Sequence, residues 1–126
     1  MPIPTRTYTC DQKDVESLKK LMTYDPYLDK SKTPEQLAEM KKDENANIIF
    51  ARQDYWIKDG ITLGLDRDKY YLVLSAVDSF LEKAEPKLKE SIPNIQRASL
   101  EIETKVVGEM DKERNESESG LGMIFG

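Results

Sequence analysis

The stretch Tyr70-Tyr71-Leu72-Val73-Leu74-Ser75-Ala76 constrains this chain most, because it is the densest apolar run in the sequence and a long amphipathic segment follows it directly. Read as a strand, it is short, aromatic and β-branched, with apolar residues on both faces, which suits a central place in a sheet. Read as a helix, Tyr70, Val73, Leu74, Val77, Phe80, Leu81, Ala84 and Leu88 form one stripe at the 3.6-residue period. The strand-then-helix reading is favoured, because Asp78 and Ser79 offer N-cap chemistry where the strand would end. Phe80, Leu81, Ala84, Leu88 and Ile92 still share one helical face. Pro86 falls inside that helix and predicts a kink or break near Ala84-Glu85.

Earlier in the chain, residues 5–10 alternate and predict a first strand. Asp11 is then expected to cap a helix over 12–23, with Val15, Leu18 and Met22 as its apolar stripe. Tyr24-Asp25-Pro26-Tyr27 reads as a turn. Thr33-Pro34-Glu35-Gln36 is a helix start, with a threonine cap, proline at the first position and glutamine completing a capping box. That helix is expected to reach Lys42 and to end in a polar loop over 43–47.

Residues 47–58 read as a strand with a bulge near Arg52-Gln53-Asp54. Asp59-Gly60 then predicts a tight hairpin into a returning strand over 61–65. With 70–76 this makes a three-stranded antiparallel meander. Ala98, Leu100, Ile102, Thr104 and Val106 alternate with polar residues and predict a last strand, with a helix from Ser99 as the alternative. The fold class expected is α+β, a two-layer sandwich whose antiparallel-rich sheet carries helices on one face. The division expected is one domain over 1–108, followed by a charged tether and apolar tail over 109–126.

Composition excludes whole classes of chemistry. Histidine is absent from all 126 residues, which removes the commonest general base, the usual triads and most zinc sites. No catalytic constellation, metal site or cofactor motif is expected. A net charge of −5 disfavours non-specific nucleic-acid binding. No apolar run is long enough to span a bilayer, and residues 1–10 contain no apolar leader core, so no membrane or secretory role is expected. The single cysteine, Cys10, fits the reducing cytoplasm and is read as a small buried apolar residue. Asp59, Asp66 and Asp68 could approach a Mg²⁺ ion, but turn chemistry explains them.

Two groups remain as candidate binding residues. Arg52, Tyr55, Trp56 and Lys58 mix cations with aromatic rings, the combination that stacks bases and neutralises phosphates, and Arg52, Trp56 and Lys58 would share a strand face. The competing reading is an ordinary strand with Trp56 in the core. The second group is the tail, where Leu121, Met123, Ile124 and Phe125 are interleaved with glycine after an acidic stretch. A polar tether ending in an apolar plug has the form of a linear docking peptide. Glu118, Leu121, Ile124 and Phe125 fall on a spacing similar to that of peptides that bind DNA sliding clamps, with Glu118 where glutamine is typical and Ile124 where an aromatic is typical. Acidic residues ahead of Phe125 also resemble the tail of bacterial single-stranded-DNA-binding proteins. The expectation is a binding or assembly protein that docks on another protein through this tail. The alternative is a homodimer, structural or ligand-binding, whose tails pack between two copies, and a second alternative is a nucleic-acid-associated protein that uses Arg52, Tyr55, Trp56 and Lys58.

Overall fold

The computed structural model describes residues 3–42 and 48–125, and side chains as far as 116. The polar loop expected over 43–47 lies outside the described residues. The elements are β1 (Thr5–Asp11), α1 (Val15–Thr23), α2 (Pro34–Lys42), β2 (Asp54–Asp59), α3 (Gly60–Leu63), β3 (Lys69–Ser75), α4 (Asp78–Ser91), β4 (Gln96–Arg97) and α5 (Leu100–Phe125). The fold class is α+β. The strands form an antiparallel sheet in the order β2-β3-β1-β4.

Because side chains alternate along each strand, the register divides the sheet into two faces. Tyr8, Cys10, Leu72 and Leu74 point one way with Tyr55 and Ile57, against Leu18 and Met22 of α1 and Leu81, Ala84 and Leu88 of α4. Tyr71, Val73 and Trp56 point the other way, into a second cluster with Leu63, Val106 and Met110. The expected helix layer therefore exists, and α5 adds cover on the opposite face. β3 holds the central place expected of the run over 70–76.

Several local expectations hold for the reasons that generated them. Thr33 and Gln36 form the reciprocal capping box: the Gln36 N–H donates to Thr33 Oγ1 at 3.2 Å, and the Thr33 N–H donates to Gln36 Oε1 at 2.8 Å. α4 buries Leu81, Ala84 and Leu88, with half-buried Phe80 beside them. It is not broken at Pro86. Pro86 and Glu82 are both exposed, so the carbonyl deprived of its donor faces water while the apolar stripe holds the turns together. Neither Asp78 nor Ser79 caps this helix. The N-cap is Val77, and it makes no side-chain cap bond.

Other expectations fail for identifiable reasons. Asp11 does not cap a helix. Its carboxylate accepts from Lys69 Nζ at 2.7 Å across the β1–β3 pair, and a 3-10 turn precedes α1. The long strand over 47–58 begins only at Asp54, because Phe50, 1% exposed, turns into the core and meets Phe80 edge-on at 5.9 Å. Asp59-Gly60 makes no hairpin. Asp59 caps α3, accepting from the Thr62 N–H at 3.0 Å and Thr62 Oγ1 at 2.8 Å. No returning strand forms over 61–65. Gly64 ends α3 at φ 70° while the Gly64 and Leu65 N–H groups donate back to Ile61 and Gly60, a Schellman closure. Over 98–106 the helical alternative holds and the strand does not, α5 beginning at Leu100 just after Ser99.

Two stability changes follow from this packing. A Cβ on Gly60 would sit 1.8 Å from the Asp66 carbonyl oxygen. Gly60→Ala should therefore cost about 1–3 kcal/mol or more, read as a lower urea midpoint. Thr7 is fully buried and its hydroxyl has no hydrogen-bond partner. Thr7→Val should raise stability by about 1 kcal/mol, the desolvation cost of an unpaired hydroxyl. A midpoint that falls would show that this hydroxyl is satisfied.

Candidate functional site

The cation and ring group over Arg52–Lys58 is taken apart by the fold. β2 starts after Arg52, so Arg52 lies in a 3-10 turn rather than on the strand face with Trp56 and Lys58. Its Nε and Nη2 donate to the two oxygens of Asp25 at 2.9 and 3.4 Å, and its guanidinium lies 4.8 Å from the centre of the Tyr27 ring. Tyr55 faces the α1 and α4 side, while Trp56 packs in the cluster under α5. Lys58 Nζ lies 5.5 Å over the Trp56 ring and donates to Glu113 at 3.1 Å. Both cations are thus paired with carboxylates of the same chain, in partly exposed ion pairs that lower the net positive charge of this surface.

α5 crosses the sheet from β1 to β2. At its start the Glu103 carboxylate accepts the Thr7 N–H at 2.7 Å, closing the gap left by the two-residue β4. Val106 and Met110 then pack over β3. Further on, Glu113 reaches Lys58, and Arg114 donates to Asp54 through Nη1 and Nη2 at 3.3 and 3.0 Å. Glu113 and Arg114 are adjacent yet reach opposite ends of β2, so the helix passes over Trp56 between them. β2 is the edge strand, and α5 continues beyond this crossing to Phe125. The side chains of Leu121, Met123, Ile124 and Phe125 lie outside the described residues.

Next to the start of β2 lies a groove of about 530 Å³, lined by Tyr27, Lys41, Ile49, Arg52, Gln53 and Phe80. It is lined by apolar and aromatic groups together with two cations, of which Arg52 is paired with Asp25. Lys41 Nζ is 5.8 Å over the Tyr27 ring. Arg52 holds the Asp25 carboxyl below the usual carboxylate range, with help from the Tyr27 N–H. Beyond Asp25 lies a second hollow beside Tyr24 and Leu28, which are 46% and 78% exposed. Tyr24 is braced by Asp29, whose carboxyl is lowered to about 2 by Ser31 and by the Tyr24 hydroxyl. The chemistry of the groove suits an apolar segment that carries negative charge. Sequence reasoning read Tyr24–Tyr27 as a turn and missed this surface. The available signal was two tyrosines flanking Asp25-Pro26, too many rings for a solvated turn.

Asp66 accepts the Asp68 N–H at 2.9 Å and Asp59 is occupied by Thr62, so these aspartates serve local turns. Among the described residues no cluster of three metal-ligating side chains forms, and no helix is long and apolar enough to cross a membrane. Cys10 is 1% exposed, and burial pushes its thiol up to about 11. The thiol should therefore resist alkylation at pH 8 in the folded protein and react fully in denaturant. The folded state keeps its proton where the unfolded chain, ionising near 9, has lost it, so stability should also fall between about pH 9 and 11. Rapid native-state labelling would place Cys10 at the surface.

No family model, curated protein or solved structure matches this chain.

Proposed function

We propose that this is a small cytoplasmic binding and assembly protein that docks on another protein through its apolar C-terminal tail. One observation carries the reading. Among the described residues, the last ion pairs that α5 makes to the sheet are at Glu113 and Arg114, and the sequence has four large apolar residues, Leu121, Met123, Ile124 and Phe125, past that point. Residues 115–126 contain Glu116 and Glu118 and no cation. This combines apolar anchors with a charge that selects partners. A buried, unpaired cysteine is consistent with a reducing compartment.

Groups with shifted titration fit this reading better than a reaction centre. Tyr8, pushed up to about 12, is buried and donates to Glu85, while Asp11 and Lys69 are matched to each other across two strands. They brace the sheet rather than converge on a cavity.

Affinity capture with the full chain, the Phe125→Ala variant and a chain ending at Glu118 tests the proposal. Both altered chains should keep the thermal midpoint of the full chain and lose its specific partner, with Phe125→Ala weakening capture about 10-fold or more, as for a central aromatic anchor. Equal recovery by all three would return the tail to a structural role.

A further inference from the structure

We infer that the groove between Tyr27, Arg52 and Phe80 is a socket for the C-terminal tail of a second copy of this chain, so that two copies exchange tails. The inference rests on the reading of the tail as a docking element and names its partner. Three observations lead to it. First, socket and plug are complementary. The groove combines Tyr27, Ile49 and Phe80 with the cation of Lys41 and the half-exposed guanidinium of Arg52, which is paired with Asp25, whereas residues 115–126 combine Leu121, Met123, Ile124 and Phe125 with Glu116 and Glu118.

Second, the sizes agree. A groove of about 530 Å³ has room for a few large side chains, and ligand sites of this kind run from roughly 300 to 1,000 Å³. Third, plug and socket border the same edge of the sheet, on its two faces, so that a tail reaching past that edge meets the groove of a neighbour. Arg52 and Gln53 line the groove, and the next residue, Asp54, is the one that Arg114 holds at 3.0 Å. From Arg114 to Leu121 the chain covers about 10 Å as helix and about 23 Å extended. A copy related by a two-fold axis at this edge offers its tail to the first socket and receives the first tail in its own. Such an exchange closes on itself instead of propagating into a filament.

The test uses full-length chains. A socket variant carries Lys41→Glu and Arg52→Glu, and a plug variant carries Glu116→Lys and Glu118→Lys. Wild type should sediment as a dimer at micromolar to millimolar concentration. Each variant alone sets like charge against like charge in both contacts and should weaken the dimer on the order of a hundredfold. Mixed in equal amounts, the variants restore opposite charge at both contacts, and the dimer should return.

Arg52→Glu also opposes Asp25, so a second measurement avoids any folding defect: a peptide of residues 115–126 titrated into the wild-type chain. It should shift the amide resonances of Phe80 and Gln53 and the Arg52 Nε signal, and it should release monomers. Wild type that is monomeric at every concentration overturns the inference, including the case where its own tail fills the groove. So does a dimer indifferent to the charge changes, or a peptide that shifts signals elsewhere. If Phe125→Ala still abolishes capture of a different protein, the docking reading survives and the second copy alone is wrong. If a charge-sensitive dimer forms while Phe125→Ala changes nothing, the tail reading has failed.

Discussion

β3 is paired on both edges and buried on both faces, and the rest of the structure answers to that. Tyr71, Leu72, Val73 and Leu74 are each 5% exposed or less. A strand apolar on both sides needs a cover on both sides, since either face left to water would expose a continuous hydrophobic band. α1 and α4 cover the Leu72 and Leu74 face. The Tyr71 and Val73 face is covered by α5 with Leu63. The two clusters lie on opposite faces of the sheet, and loss of either cover would strip one side of β3.

That requirement explains why the chain from Leu100 onward is helical although its alternation suits a strand. Ile102, Val106 and Met110 satisfy both periods, whereas Val107, which packs against the same cluster, falls in step only with the helical one. Local pattern cannot choose between them, but the uncovered face of β3 can. The same distinction separates what was legible from what was not. The capping box at Thr33, the strand over 70–76 and the stripe of α4 are short-range signals, and they hold. Asp59-Gly60 is short-range too, yet it misleads. Its glycine is needed because the Asp66 carbonyl lies where a Cβ would be, a contact six residues away that no dipeptide reports. Arg52 likewise takes its partner, Asp25, from 27 residues earlier in the chain.

The edge of the sheet shows how charge placement finishes the fold. β2 has β3 as its strand neighbour and is otherwise an edge, the usual liability of an open sheet. It is six residues long and carries Asp54 and Lys58, each tied to α5 by an ion pair. Those charges keep the edge solvated while the helix passing over Trp56 covers one of its faces. The Lys58–Glu113 pair that helps bind α5 to β2 draws on a residue of the cation and ring group, so that Lys58 serves as part of a structural clasp.

The two ends of α5 are held very differently. Up to Met110 it is anchored by buried apolar contact, and by Glu103 on the backbone of β1. From Asp111 to Glu116 every residue is exposed, and the ion pairs to Lys58 and Arg114's to Asp54 are partly solvated. Such pairs contribute roughly 0–1 kcal/mol each, far less than the apolar contacts before them. The turn over 111–116 is therefore held to the sheet less firmly than the helix up to Met110. A segment so placed can exchange one set of contacts for another without disturbing the sheet. This is the mechanical condition that the proposed docking of the tail requires, a helix firmly rooted at Met110 and loosely clasped at Arg114, with an apolar sequence beyond.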